Sequence, residues 1–402
     1  QSRKEEYSLQ LCIHRGTHQI GGISTEIATA TTRIFIDMGD ELSLDSNFIS
    51  APLKIPGVTD SNGRCDAVLF THYHGDHTGQ MMHIRPEIPL YAGALTKDIL
   101  RLSTGHSSPQ NTPLCKRIES IRTFSPGKTF LIGDIRITPF CIDHSACDSY
   151  LFLIEADGKR LLYTGDFRLH GVRGKAMGKI LDKRIRKVDI LVTEGTTLSR
   201  PDVPVMTECD LQKQLKTYLQ HYKYVFVLCS TTNLDRIFSF ARAVPVGKYC
   251  LCDAYQYALV KTVSDHWHCF SNFYEMPKLT TYGDNLLPAF QKRGGLMFVR
   301  ANGRFEKIIR QFHPQQSILL YSMWDGYRTK SGSSIPDFLA LTGTWKQLHT
   351  SGHVSKKDLL SVIEKANPET VIPMHTDAPD KLQALCPNRK IVTLSDGELL
   401  AL

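Results

Sequence analysis

The chain has 402 residues, is 42% hydrophobic and carries a formal charge of +8 at pH 7, with a pI near 8.8. That length and apolar content fit two ordinary globular domains, and the basic balance favours an anionic partner. No apolar run approaches the roughly 18 residues of a membrane span, and the eleven Cys are dispersed with no CxxC pair and no regular spacing, which favours a reducing compartment over secretion.

The charged opening Gln1-Ser2-Arg3-Lys4-Glu5-Glu6 has no signal-peptide pattern. With the scattered thiols, this makes the cytoplasm the expected location, with no membrane partner. Residues 7–13 alternate as a strand. The glycines of the following loop, His14 to Gly22, permit a tight turn with close backbone approach. His14, Arg15 and His18 are candidate substrate contacts there, with a solvated loop as the leading reading. Residues 26–29 and 33–37 read as the next strands. Asp37 closes the second of them, where an acid can orient a metal-bound His through its other ring nitrogen or simply form a turn. Residues 42–65 read as a polar loop.

The run Ala67-Val68-Leu69-Phe70 reads as a buried strand. It leads into Thr71-His72-Tyr73-His74-Gly75-Asp76-His77, a cluster of nitrogen and oxygen donors at a strand end, which is a metal-site signature. His72 and His74 can face one point, and Asp76 and His77 a second point a few ångströms away. That arrangement suits two metals sharing one water in a hydrolysis.

Next come an expected strand over 89–93, a helix over 94–102 and a polar, turn-rich stretch over 103–117. Strands over 133–140 and 149–155 flank His144, and a strand over 160–164 runs into Asp166. Both residues sit just after a strand, where ligands converge, and the two oxygens of Asp166 suit a bridge. A strand over 188–193 ends at Glu194. From residue 201 helical stretches (208–222) alternate with strands (224–229, 317–321), which argues for a parallel-sheet insert. His266-Trp267-His268 reads as part of a packed insert rather than a base-stacking platform. Arg300, Arg304, Lys307 and Arg310 recur near helical spacing, and a solvated charged face is the leading reading. The chain then returns through His349-Thr350-Ser351-Gly352-His353, a helix over 356–366, and Pro373-Met374-His375-Thr376.

His72-x-His74-x-Asp76-His77, then His144 and Gly165-Asp166, resemble the metallo-β-lactamase fold family, with Asp37 matching the acid that ends an early strand there. Glu194, His353 and His375 resemble the three further motifs of its β-CASP nuclease branch, and the pattern from His349 to His375 is similar to RNase J. The segment from Ile318 to Arg328 matches that pattern only loosely. The resemblance implies an α/β protein: a four-layer αβ/βα sandwich with an inserted α/β β-CASP domain. The expected parts are 1–200 for the first part of the sandwich, 201–340 for the insert and 341–402 for the returning part.

It also implies a two-metal nuclease. His72, His74 and His144 would hold one ion, and Asp76, His77 and His375 the other, with Asp166 bridging. The ions would be zinc, with manganese as the alternative. His353, held by Glu194, would serve the leaving oxygen. Ser230, Asn233, Arg236, His349 and Ser351 would form a pocket for a 5′-terminal phosphate, giving 5′-to-3′ exonuclease action beside or instead of internal cutting. The simpler alternative is that Ser230 and Asn233 cap the following helix. The expected partner is single-stranded RNA, and the resemblance admits a homo-oligomer or a protein complex. The competing expectations are a small-molecule hydrolase of the glyoxalase or lactonase type, a DNA nuclease of the same branch, and a catalytically silent RNA-binding member.

Overall fold

Period-two alternation in the strands builds the molecule. In Ser149–Ala156, Tyr150, Phe152 and Ile154 point to one apolar cluster, whereas Leu151 and Leu153 point to another. A strand apolar on both faces belongs in a sheet covered on both sides. The computed structural model describes residues 9–45, 47–107, 111–267, 272–283 and 285–402. Among these residues the strands form three sheets.

The first sheet has the order Leu399–Ala401, Gln10–Arg15, Ser24–Ala28, Arg33–Ile36, Ala67–Leu69, Leu90–Gly93, Arg122–Phe124. The second has the order Lys390–Ile391, Thr370–Met374, Ile190–Glu194, Lys159–Tyr163, Ser149–Ala156, Ile135–Ile142, Phe130–Ile132. Their inner faces meet in one cluster that joins Ile13, Ile36 and Leu69 to Phe152, Tyr163 and Met374. The outer face of the first sheet is covered by Met81, Ile84 and Ile118, and that of the second by the helices Lys175–Ile180 and Lys356–Ala366. This is the four-layer αβ/βα sandwich.

The third sheet is wholly parallel, in the order Thr280–Thr281, Tyr249–Cys252, Gly295–Val299, Tyr224–Cys229, Ser317–Ser322, Trp345–Gln347. Helices cover both faces, and Val225 and Val227 point to one side while Tyr224, Phe226 and Leu228 point to the other. Its last strand lies beyond residue 340, the insert boundary expected from sequence. All three residues of that edge strand are exposed, so no apolar pattern announces it. The helix expected over 94–102 runs on to Ser107, through a last turn with no buried residue, and Pro113–Glu119 is also helical. The stretch 103–117 is therefore only partly turn.

The insert does not stand apart. Its core cluster takes in Leu95 and Ile99 of the helix Ala94–Ser107, and also Tyr73, Ala146 and Cys147. Tyr73 lies between two of the candidate ligands. Its hydroxyl donates to the Thr232 carbonyl of the insert at 2.8 Å and accepts from the Cys147 amide at 3.0 Å. Packing of the two lobes thus runs directly behind the donor cluster.

Candidate metal centre

Five strand ends bring the donors together. Ala67–Leu69 leads to His72 and His74, and a single helical turn, Gly75–Thr78, carries Asp76 and His77. His144 follows Ile135–Ile142, Asp166 follows Lys159–Tyr163, Glu194 ends Ile190–Glu194, and His375 follows Thr370–Met374. The chain after Arg33–Ile36 lies so close to the ligand turn that a Cβ on Gly39 would overlap the carbonyl of Asp76. Asp37 and His375 hold positive φ angles, 62° and 52°. Non-glycine residues persist there only where surrounding contacts over-determine them, as at functional sites.

Three donor sets result, each with ligand atoms within 4.8 Å of one another: His72, His74 and His144; Asp76, His77, Asp166 and His375; and Asp166, Glu194, His353 and His375. The first two sets match the grouping expected from sequence. His72 Nε2 stands 3.0 Å from His74 Nδ1, and His144 Nε2 is 3.3 Å from the same atom. Asp166 Oδ2 is 3.2 Å from His77 Nε2, 3.8 Å from His144 Nε2 and 3.7 Å from both His375 Nε2 and His353 Nδ1.

Each ring is oriented from behind. His77 Nδ1 meets Asp37 Oδ2 at 2.8 Å, His144 Nδ1 meets the Gly352 carbonyl at 2.7 Å, and His375 Nδ1 meets Thr196 Oγ1 at 2.7 Å. Asp37 also accepts from the Thr71 amide and hydroxyl, both at 2.8 Å. His353 Nδ1 meets Glu194 Oε2 at 3.0 Å, and Glu194 Oε1 accepts from the Phe167 amide at 2.8 Å.

The donors fit cations. Burial pushes His72, His74 and His144 down, His74 to about 4, so their rings are neutral with free lone pairs. His77 is buried and His353 partly buried, but the neighbouring carboxylates override desolvation and hold both above the usual imidazole range. The site is thus a centre of negative potential. Asp166 Oδ1 is buried with no hydrogen-bond partner, a position that a cation satisfies.

A cavity of about 960 Å³ opens beside the donors, lined by His74, Asp76, His144, Asp166 and His353 from the sandwich and by Ser230, Asn233 and Tyr327 from the insert. Ser230, Asn233, His349 and Ser351 all line it. Arg236 does not. Its guanidinium is fully buried, with Nε and Nη2 each 2.7 Å from the Glu208 carboxylate and Nη1 2.5 Å from Ser322 Oγ. The expected phosphate contact is corrected here: the side chain is consumed by a buried carboxylate. Asn233 caps the helix Leu234–Ala243 by accepting from the Arg236 amide, and Ser230 Oγ meets Thr232 Oγ1 at 3.1 Å.

The remaining candidates are structural. His14 and Arg33 both bind Glu26, and Arg15 bonds the Gly22 and Gly39 carbonyls. His18 is exposed, next to Thr17. His266 pairs with Asp98 at 2.6 Å; His268 lies outside the described residues. Arg300 is held by Asp253, Arg310 by Glu306, and Arg304 lies over the Tyr282 ring, so with Lys307 they make no continuous basic face.

Thr71, Thr196 and the Gly352 carbonyl touch the donor rings His72, His375 and His144, and the sequence did not single them out. A threonine near a strand end is too common to notice, and a carbonyl carries no residue signature.

Comparison with known proteins agrees with this geometry. Residues 32–225 match the beta-lactamase superfamily domain, and residues 343–387 match the Zn-dependent metallo-hydrolase RNA specificity domain. The chain belongs to the β-CASP branch of the metallo-β-lactamase family. It is 26% identical over 205 residues to transcription termination factor FttA of Methanothermobacter thermautotrophicus, covering 47% of this chain and 31% of that protein. It is 27% identical over 201 residues to an RNase J-like protein of Methanocaldococcus jannaschii (48% and 44%), and 26% identical over 149 residues to endoribonuclease ysh-1 of Neurospora crassa (33% and 17%). Each match takes in less than half of the relative's length. A crystal structure of a protein of unknown function from Enterococcus faecalis V583 shares the fold of this β-CASP chain, with a TM-score of 0.78 and 20% identity over 98% of this chain and 100% of that one. No helix among the described residues is long and apolar enough to cross a membrane.

Proposed function

We propose that this β-CASP protein is a metal-dependent nuclease that hydrolyses phosphodiester bonds of RNA. One observation carries the reading. The set of His72, His74 and His144 adjoins the set of Asp76, His77, Asp166 and His375, with Asp166 Oδ2 3.8 Å from His144 Nε2, beside a cavity lined by sandwich and insert, and the returning segment that supplies His353 and His375 is the part matched by the RNA specificity domain.

His72, His74 and His144 would hold one divalent ion and Asp76, His77 and His375 the second, with Asp166 between them. Four or more imidazoles favour zinc over manganese. Bound there, the ions supply a water ionised near neutral pH and positive charge against the phosphoryl oxygens. Asp37, Gly352 and Thr196 orient three ligand rings. Glu194 keeps a proton on His353 Nδ1, which leaves Nε2 to exchange a proton with the leaving oxygen. Ser230, His349 and Ser351 line the same cavity and support a 5′-to-3′ direction, without a guanidinium from Arg236.

The test is metal-loaded protein with end-labelled RNA, single-stranded DNA and duplex DNA. A metal-dependent ladder from RNA is expected, and RNA left intact overturns the proposal. RNA bearing a 5′-phosphate should be degraded faster than the 5′-hydroxyl form; equal rates overturn the direction. The apolar side chains on part of the cavity wall favour a second reading, hydrolysis of a small neutral ester, which an ester assay on the same protein decides.

A further inference from the structure

The cavity has a rim that metal chemistry does not explain. Trp324 and Tyr327 are 42% and 50% exposed, and both line the cavity that contains Asp76. Leu42, Leu44, Val203 and Val205 line the same cavity, also exposed, at 40% to 63%. Exposed apolar groups gathered at one mouth mark a binding surface. Trp324 and Tyr327 sit in the stretch after Ser317–Ser322, where the resemblance to RNase J is loose.

The two rings are pre-positioned. They stand edge to face, with centroids 5.5 Å apart. The Tyr321 hydroxyl donates to the Trp324 carbonyl at 2.7 Å, the Tyr327 amide donates to the same carbonyl at 3.2 Å, and Ser333 Oγ donates to the Tyr327 carbonyl at 2.8 Å. Arg328 grips Asp325 through two bonds of 2.8 and 2.9 Å. A Cβ on Gly326 would overlap the Trp324 ring, so one face of the indole rests on the backbone there. The Ser331 amide reaches the Leu44 carbonyl at 3.3 Å and ties the segment to the loop of the sandwich that carries Leu42 and Leu44.

We infer that Trp324 and Tyr327 form a stacking platform for an unpaired nucleobase next to the scissile phosphate. The inference rests on the RNA reading above and deepens it. A planar base offers an apolar face to an aromatic ring and needs no charge from the wall. The wall here is apolar, while the donor sets beside it would hold the cations that a phosphate requires. In a duplex both faces of a base are already covered, so the platform selects single strands. Stacking tolerates any base, so it confers strand selection rather than sequence selection.

The test compares wild type, Trp324→Ala, Trp324→Phe and Tyr327→Leu, all metal-loaded, on an oligoribonucleotide and on an abasic ribose-phosphate oligomer of equal length. Trp324→Ala should raise KM for the base-bearing oligomer about tenfold and leave the abasic one unchanged, with Trp324→Phe between. Binding is read separately from cleavage as quenching of tryptophan fluorescence by the oligoribonucleotide, which should largely vanish in Trp324→Phe. Equal losses on both oligomers, or no loss on either, overturn the platform while leaving the nuclease reading intact. Quenching through Trp324 without cleavage overturns the nuclease reading and keeps the platform. Neither quenching nor cleavage overturns both.

Discussion

His77 Nδ1 donates to Asp37 Oδ2 across 2.8 Å, and both side chains are fully buried. The bond fixes the tautomer, so that Nε2 turns toward Asp166. Asp37 in turn is fixed by the amide and hydroxyl of Thr71, one residue before the first ligand. Asp37→Ala should therefore weaken zinc binding about 10–100-fold, the usual effect of removing a partner that orients a ligand. Competition against a chromophoric chelator measures it, and circular dichroism checks that the sheet content persists. Unchanged affinity would count against the orienting role.

Metal removal should abolish activity and lower Tm, because the donor sets leave buried rings and carboxylates crowded around an unpaired Asp166 Oδ1. The loaded protein should carry close to two ions per chain by elemental analysis. Asp76→Ala and Asp166→Ala should each remove activity and retain the far-ultraviolet spectrum, since the core lies between the sheets and not at their edge. Full activity in either variant would sink the two-ion arrangement.

His353 and Glu194 belong both to an acid–base pair at 3.0 Å and to a third possible donor set. If they act on the leaving oxygen, His353→Gln should slow single-turnover cleavage by about 10²–10⁴-fold at unchanged metal content. A fall in bound metal to match the lost activity would instead make His353 a ligand.

Glu208 links the two lobes, with Arg168 of the sandwich at 2.8 Å and Arg236 of the insert at 2.7 Å. Burial raises its carboxyl, but the two guanidinium groups outweigh burial and hold it at about 2, below the ordinary 4.5. A depressed acid stabilises the fold above its unfolded value. That contribution is lost as pH falls from about 4.5 through about 2. Glu208→Gln should cost about 3–5 kcal/mol at neutral pH, because it takes the carboxylate from the buried Arg236 guanidinium, whereas Arg168 keeps Asp143 at 2.6 Å. Urea unfolding at pH 7 and pH 3 should show a wild-type decline that the variant lacks in part. Arg236→Ala should lower Tm in the same way, without changing the ratio of rates on 5′-phosphate and 5′-hydroxyl RNA.

The candidate donors were legible because they are local. Six consecutive residues after one apolar strand contain four donors, and His144, Asp166 and His375 each follow an apolar run that locates a strand end. Sandwich, insert and metal grouping follow from that pattern together with the resemblance. Helix bounds were readable where one face is buried, as in Lys356–Ala366, and lost where it is not, as in the last turn of Ala94–Ser107.

Side-chain direction and distant partners were decided only in three dimensions. Arg236 has the residue type of a phosphate contact, yet Glu208, 28 positions earlier, turns it inward. Asn233 spends its oxygen on a helix end. The carbonyl of Gly352 orients His144 across 208 positions of sequence, and Thr196 orients His375 across 179. Trp324 and Tyr327 look like ordinary core aromatics until the turn at Gly326 leaves them exposed at the mouth of the cavity. Local periodicity records which residues seek the interior. It holds no record of which groups meet once the two lobes close on each other, because those contacts depend on chain segments hundreds of residues apart.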